Sequence, residues 1–134
     1  MIGEISKEFL EGILEVIPLD ISILDANDKV IGWNHHETRI FKRPEAVIGK
    51  NVRECHPEKS LDKVEKIIDE MKEGIRNKAR FWIDFQLDYE EQPRKLLIEY
   101  FALRDIQGNY LGCVEASQDI TGIRDLKGEK RLLE

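Results

Sequence analysis

The first part of the chain places apolar residues at a spacing of three to four. This spacing, with Ser6 as a suitable N-cap and Pro18 as a stop, predicts an amphipathic helix over residues 6 to 16. Its apolar positions are Phe9, Leu10, Ile13, Leu14 and Ile17. Because this apolar face is narrow, we expect the helix to lie on the open face of a sheet and, with a second copy of the chain, to make a homodimer.

The next residues predict a hairpin, and a segment without regular hydrophobic periodicity follows it. Residues 20 to 24 alternate loosely, residues 25 to 28 favour a turn, and residues 30 to 33 are apolar, which indicates two paired strands. Between residues 34 and 57, Pro44 suits the first turn of a short helix and Gly49 suits its end. Irregular segments of this kind often form the wall of a pocket.

The clearest helical pattern covers residues 60 to 76. Ser60 suits the N-cap of this helix, and charged residues occupy the positions opposite a single apolar stripe. The stripe consists of Leu61, Val64, Ile67, Ile68, Met71 and Ile75.

The pattern then changes to period two. It predicts a half-buried strand whose apolar face carries Phe81, Ile83, Phe85, Leu87 and Tyr89. Two more strands are predicted over residues 95 to 104 and 110 to 118, with short connections that favour antiparallel pairing. The fold class is therefore α+β: a five-stranded antiparallel sheet with helices packed on one face. A flanking helix (1–18) precedes the domain (19–121), and a helical tail (122–134) follows it.

Composition and charge narrow the functional classes. Residues are 41% hydrophobic and 36% charged, and no apolar run approaches the length of a membrane span. The net charge of −6 is not offset by any basic stripe, which argues against nucleic acid and anionic membranes as partners. The N-terminus has no signal-peptide pattern, so a cytoplasmic location is expected. The two cysteines are expected to be free thiols.

The order of elements, with three sequence marks, resembles the PAS sensory domain. The marks are ILDANDKVIGWN, AVIGKNV and RDIQGNYLGCVEASQDIT, and the resemblance covers roughly residues 10 to 121. The stretch RIFKRPEAVIGKNVRECHPEKSLDKVEKIIDEMKEG, followed by FWIDF, is similar to a narrower group, found at the C-terminal end of prokaryotic proteins that also carry a hemerythrin-like domain. The resemblance implies a sensory module that binds a small molecule between sheet and helices and mediates protein–protein interaction.

Candidate ligand-binding residues follow from strand alternation and the resemblance. In the last strand Leu111, Cys113, Glu115 and Ser117 share one face, and by analogy with flavin-binding PAS domains Ser117 matches an inward polar position. An inward Glu115 needs a ligand donor, a nearby Arg or a raised pKa. In the alternative register Tyr110, Val114 and Ala116 point inward and Glu115 lies in solvent. The remaining pocket candidates are Tyr100, Ile98, Phe85, Ile68, Met71 and Val52.

The resemblance also bears on cofactors. Where blue-light PAS domains hold a flavin-binding cysteine, this chain has Val52, which argues against cysteinyl-flavin photochemistry and leaves non-covalent flavin open. The helix 60–76 lacks the histidine that ligates haem in familiar haem-binding members. Cys55 and His56, with the adjacent pair His35 and His36, remain candidates for haem, metal or redox chemistry, with surface or wall roles as the alternative.

Three functional hypotheses remain open on the sequence. In the first, ligand binding shifts the last strand and, through a cap made by Asp119 and Thr121, the tail. In the second, the chain is a ligand-free dimerisation domain whose core is filled by large side chains such as Phe81 and Phe85. In the third, a cone-shaped α+β enzyme uses Glu115 as a base, although the element order opposes it. No catalytic motif is present in the sequence, which favours a non-enzyme.

Overall fold

The computed structural model describes residues 1–35 and 40–133. An N-terminal helix α1 (Lys7–Val16) precedes a hairpin of β1 (Asp20–Asp25) and β2 (Val30–Trp33). Short 3₁₀ helices at Glu45–Val47 and Val52–Cys55 lead into α2 (Glu58–Lys72). Three strands complete the fold: β3 (Lys78–Phe85), β4 (Arg94–Arg104) and β5 (Tyr110–Asp119).

The five strands form one sheet in the order β2-β1-β5-β4-β3, and every neighbouring pair is antiparallel. This arrangement confirms the predicted fold class. Strand β5 lies at the centre, so its inward side chains face the core beneath α2. That core includes Ile68 and Met71 of α2 and Tyr100 and Cys113 of the sheet, which are at most 2% exposed. No helix in the described part of the chain is long and apolar enough to cross a membrane.

Helix α1 begins as predicted but does not pack as predicted. The Ser6 hydroxyl accepts a hydrogen bond from the Phe9 N–H at 3.3 Å. No α1 residue is buried, and Trp82 on the outer face of the sheet is 65% exposed, so α1 does not cover that face. The helix is attached at its C-terminal end, where the Asn34 side-chain amide donates to the Leu14 carbonyl at 2.7 Å.

Helix α2 begins before the predicted Ser60 N-cap and ends before residue 76. Pro57 occupies the N-cap, and the Ser60 hydroxyl lies in the first turn, where it donates to the Pro57 carbonyl at 2.9 Å. The helix ends because Gly74 adopts a φ of +79°, which favours glycine. Ile75 therefore lies outside the helix and is 67% exposed, so its place in the apolar stripe was predicted wrongly.

Strand β3 has the predicted alternation but is shorter. Its last pair joins Phe85 to Arg94 of β4, and the chain then turns, with the Glu90 N–H donating to the Leu87 carbonyl at 3.1 Å. Leu87 and Tyr89 therefore do not extend the apolar face, and Tyr89 is 83% exposed.

A bulge changes the faces at the start of β5. Leu103 pairs with Gly112 and Arg104 with Tyr110, which leaves Leu111 without a partner on β4. Tyr110 packs against the core, whereas Leu111 is 54% exposed, so the predicted grouping of Leu111 with Cys113 was wrong. A Cβ at Gly112 would overlap the carbonyl oxygen of Leu24, so this position requires glycine.

The helical tail predicted for residues 122–134 does not form in the described residues 122–133. A turn covers residues 121–125, and irregular chain follows. Gly128 has a φ of +63°, and Leu126 and Leu132 are 76% and 96% exposed. A segment this short needs tertiary packing to remain helical, and these side chains have none.

Candidate functional site

A cavity of about 790 Å³ lies between the inner face of strands β3 to β5 and the segments that lead into α2. Its size falls within the range of small-molecule sites. The cavity walls are mainly apolar and aromatic, and the residues that line it are Phe41, Lys42, Arg43, Cys55, His56, Pro57, Ser60, Lys63, Val64, Ile67, Phe81, Trp82, Ile83, Phe85, Ile98, Tyr100 and Glu115.

Aromatic contacts shape these walls. Phe41, from the irregular segment before Pro44, meets Phe85 of β3 edge to face, with ring centroids 5.3 Å apart. Phe81 of β3 stacks on Tyr100 of β4 at 6.0 Å. Both geometries suit aromatic pairs and hold the rings as fixed surfaces beside the cavity.

The inward face of the sheet contributes a carboxylate to the cavity. Glu115 of β5 pairs directly with Tyr100 of β4, and the Tyr100 hydroxyl donates to Glu115 Oε2 at 2.7 Å. The Glu115 side chain is only 13% exposed. The alternative register, with Tyr110, Val114 and Ala116 inward and Glu115 in solvent, is therefore wrong for Glu115.

Arg43 stands next to this carboxylate. Its Nη2 lies 3.8 Å from Glu115 Oε1, an ion-pair distance that is too long for a hydrogen bond. Its Nε donates to the Ser22 hydroxyl at 3.1 Å, and Ser22 pairs with Glu115 across β1 and β5. We call Tyr100, Glu115 and Arg43 the floor cluster.

Burial shifts the titration of two groups around the floor cluster. Burial, reinforced by the negative charge of Glu115, holds the pKa of Tyr100 well above its usual range. Burial and the same charge raise the pKa of the Cys113 thiol to about 12. Tyr100 therefore remains a protonated hydrogen-bond donor to Glu115 at neutral pH.

The structure separates the predicted pocket residues into two groups. Tyr100, Glu115, Ile98 and Phe85 line the cavity. The other candidates lie in the core instead of on the cavity wall, at most 4% exposed: Val52, Ile68, Met71, Cys113 and Ser117. Alternation identifies inward side chains, but it does not distinguish those that border the cavity from those packed beneath α2.

The candidate haem and redox residues lie in the cavity wall. Cys55 and His56 both line it, and His56 Nδ1 lies 3.1 Å from the Val52 carbonyl oxygen. The backbone N–H of His35 donates to the Glu15 carboxylate, and His36 lies outside the described residues. Within residues 1–35 and 40–133, no group of three or more His, Cys, Asp or Glu side chains could hold a metal ion.

Sequence reasoning missed three neighbours in the chain that line the cavity: Phe41, Lys42 and Arg43. The sequence feature that could have identified them is the irregular segment around Pro44. It predicted a pocket wall but did not indicate which side chains face the cavity. Lys63 was also missed, because it belongs to the polar side of α2.

The end of β5 is tied to the beginning of β4. Asp119 Oδ1 accepts a hydrogen bond from the Thr121 N–H at 2.9 Å, and Thr121 Oγ1 accepts one from the Lys95 N–H, also at 2.9 Å. Arg94 Nη1 donates to Asp119 Oδ2 at 3.1 Å. The residues predicted to form a cap therefore connect the exit of the central strand to its neighbour.

Comparisons with known proteins identify the family of the chain. A family model described as a PAS domain matches residues 10–121. The C-terminal domain of a Streptococcus mutans protein is 32% identical with a TM-score of 0.82, and the match covers 95% of this chain and 94% of that one. No curated protein matches the chain.

More distant structures share the fold. A sensory box sensor histidine kinase from Vibrio cholerae is 18% identical with a TM-score of 0.57, over 86% of this chain and 91% of that chain. VqmA bound to DPO is also 18% identical, with a TM-score of 0.56, over 88% of this chain and 59% of that chain. With the family match over most of its length, the chain belongs to the PAS domain family.

Proposed function

We propose that this PAS domain is a sensory module that binds a small molecule in the cavity above the floor cluster. The observation that carries the proposal is a nearly buried carboxylate, Glu115, at the inner face of an apolar cavity of about 790 Å³. An apolar cavity with a few converging polar groups is the usual form of a ligand site.

The hydrogen bonding of Glu115 supports this role. An ionised carboxylate can accept about four hydrogen bonds, and burial is costly when it is left without donors. Among the described residues, only Tyr100 donates to Glu115. The cavity is therefore bordered by polar groups, the Glu115 carboxylate and the neighbouring Arg43 guanidinium, that retain capacity for contacts with a ligand.

The cavity argues against the ligand-free alternative with a filled core. Phe81, Phe85 and Tyr100 line the cavity without closing it, and Met71 is packed in the core below. Cys55 and His56 in the wall support haem or redox chemistry as a second candidate, and non-covalent flavin also remains open.

We infer that occupancy is transmitted through β5. Glu115 lies four residues before Asp119 on the same strand, and Asp119 is bonded to Thr121 and Arg94. A displacement of Glu115 along the strand would strain the cap and move the segment that follows. PAS domains generally serve sensory signalling, and we infer a non-catalytic role for this one as well.

Protein interaction is proposed through α1. Phe9 and Val16 of α1 are 69% and 79% exposed, and Trp82, on the outer face of the sheet, is 65% exposed. The occupant we propose is a second copy, because a symmetric dimer would cover the apolar surfaces of α1 and the sheet at once. Sedimentation velocity tests this: the wild type should be dimeric, and Phe9→Glu should give monomers. A monomeric wild type contradicts it.

The cellular context predicted from the N-terminal sequence and from the resemblance stays a prediction. A cytoplasmic location and association with a hemerythrin-like domain both fit a sensory module and need separate tests.

Native mass spectrometry of freshly purified protein, with its absorbance spectrum, tests ligand binding. We expect a bound small molecule, or a compound from a screening set that raises the melting temperature. Val64→Phe, which fills the cavity from α2, should remove the effect. Val114→Phe, on the opposite face of β5, is the matched control and should retain it. Equal binding by both variants would contradict the proposed site.

A further inference from the structure

We propose that the ligand of this cavity is an apolar organic acid whose carboxylate binds Arg43. This inference rests on the proposed function and adds the chemical class of the ligand.

Arg43 has unused hydrogen-bond donors. A guanidinium carries five N–H groups, and among the described residues the guanidinium of Arg43 donates only one of them, its Nε–H, to the Ser22 hydroxyl. Among the described residues, no group accepts a hydrogen bond from its Nη1 or Nη2, and the side chain is only 15% exposed. A carboxylate accepts two parallel N–H bonds from such a fork, which makes it a suitable partner for a guanidinium at a cavity wall.

The charge around the cavity favours an anion. Among the described residues, the lining includes three cationic side chains, Lys42, Arg43 and Lys63, and one carboxylate, Glu115. This excess of positive charge contrasts with the net charge of −6 for the whole chain. A cleft with one sign of charge and low-dielectric walls concentrates ligands of the opposite sign.

The N-terminal end of α2 adds to this potential. Pro57 and Ser60 line the cavity, and the N-cap Pro57 provides no side-chain hydrogen bond to the first turn. The free N–H groups at a helix N-terminus carry partial positive charge. This partial charge only supports the inference, which depends mainly on the free N–H donors of Arg43.

The negative charge of Glu115 does not prevent an anion from binding to Arg43. Its Oε2 is held by Tyr100, and its Oε1 faces Nη2 of Arg43 at 3.8 Å. One guanidinium can pair with two carboxylates at its different N–H groups, and the lysines of the lining supply further positive charge.

The walls determine the rest of the ligand. The cavity is surrounded by the apolar side chains of Phe41, Val64, Ile67, Phe81, Ile83 and Phe85. Such walls favour a ligand with a hydrocarbon or aromatic body, which a sugar or a free phosphate lacks.

Isothermal titration with matched probes tests the proposal. The probes are decanoate and 2-naphthoate, their neutral counterparts decanol and 2-naphthamide, and inorganic phosphate. We expect at least one acid to bind on the order of 10- to 100-fold more tightly than its neutral counterpart, because hydrogen bonds to charged groups have about this effect. Phosphate should not bind measurably.

Arg43→Met should reduce binding of that acid to the level of the neutral probe and leave neutral binding unchanged, which also shows that the variant is folded. Arg80→Met is the matched control, because Arg80 is 63% exposed on β3 and pairs with Glu99. Arg43→Lys should fall between wild type and Arg43→Met.

Three results would overturn the proposal: equal affinity for acid and neutral probes, equal loss in Arg43→Met and Arg80→Met, or binding of phosphate as tightly as the acids. Binding of neutral probes alone would overturn the inference and retain the proposed function. If no small molecule binds in the titrations or in native mass spectrometry, both fail.

Discussion

Two buried carboxylates in this domain have different surroundings. Asp28, in the β1–β2 turn, is 4% exposed and is paired with Arg53 Nη1 at 3.0 Å and with Lys72 Nζ at 2.8 Å. Glu115 has one hydrogen bond, from Tyr100, and an arginine at ion-pair distance. The first carboxylate is held by two cations of the protein, both of which donate to its Oδ2, whereas the second borders a cavity, accepts no hydrogen bond from a cation of the described residues, and has one cation at 3.8 Å.

The difference indicates what each group does. Asp28 joins the hairpin to Arg53 and to the end of α2, and Arg53 also donates to Glu65 of α2 at 2.6 Å, so this network fixes the positions of three elements. The floor cluster joins only the sheet and the Arg43 segment. The Asp28 network therefore links the elements of the fold, whereas the floor cluster is the part that we propose serves recognition.

Among the substitutions, Asp28→Asn should have the largest effect on stability. Asparagine has nearly the same shape as aspartate and also tolerates the φ of 67° at this position. It has no negative charge, however, so Arg53 and Lys72 lose the carboxylate that they share. We expect a loss of about 3 kcal/mol in the free energy of unfolding, the lower end for a broken buried pair, because both cations are partly exposed. Urea titration measures it, with the exposed Asp62→Asn as control; a loss below about 1 kcal/mol contradicts the comparison.

Tyr100→Phe should have the next largest effect. It removes the only hydrogen bond donated to Glu115 by the described residues, and a hydrogen bond to a charged group contributes about 2 kcal/mol. The exposed Tyr89→Phe should leave urea denaturation unchanged. If the two variants are equally stable, Glu115 does not depend on Tyr100.

High pH should weaken the core beside the floor cluster. Because the pKa of Cys113 is raised from 9.0 to about 12 in the folded protein, the unfolded chain releases this proton first. Stability should therefore fall as pH rises from about 9 to about 12, by up to ~1.4 kcal/mol per pH unit for this thiol. Buried Tyr100 has a shift in the same direction and adds to the fall.

Cys113→Ala should make the pH dependence of unfolding shallower in this window, whatever its effect on stability at neutral pH. Cys55→Ala, which removes the other thiol, is the control. A slope unchanged by Cys113→Ala would show that this thiol does not titrate as its burial requires.

Glu115→Gln should have the smallest effect on stability. The amide oxygen can still accept the Tyr100 hydrogen bond, and a nearly buried charge whose cation lies at 3.8 Å is removed, so we expect a change of less than about 1 kcal/mol. Thermal unfolding against the exposed Glu91→Gln measures it. A loss as large as that of Asp28→Asn would remove the distinction between the two carboxylates.

The strand pattern of the fold was predictable where one face of a strand is buried. In β3, Phe81, Ile83 and Phe85 alternate with Arg80, Trp82 and Asp84, and the structure has the same alternation of half-buried and exposed positions. The PAS family was also predictable, because marks such as the AVIGKNV segment and the DIT ending occur in order.

The central strand was harder to predict for a physical reason. Both faces of β5 carry a mixture of small, apolar and polar residues, so periodicity does not select one of them. The bulge at Leu111 then exchanges the faces of Tyr110 and Leu111 relative to simple alternation.

Arg43 and the tail show two further limits. Arg43 lies in a segment without periodicity, so its contact with Glu115 depends on tertiary structure that local patterns do not encode. The tail has helical spacing, but spacing alone does not keep a helix when its apolar residues have nothing to pack against.

A crystal structure of the protein, purified without refolding and in complex with a compound found to stabilise it, tests the central claim most directly. The account predicts that the compound occupies the cavity above β3 to β5 and contacts Glu115 or Arg43. A cavity closed by its own side chains, with the compound bound elsewhere on the surface, would contradict it.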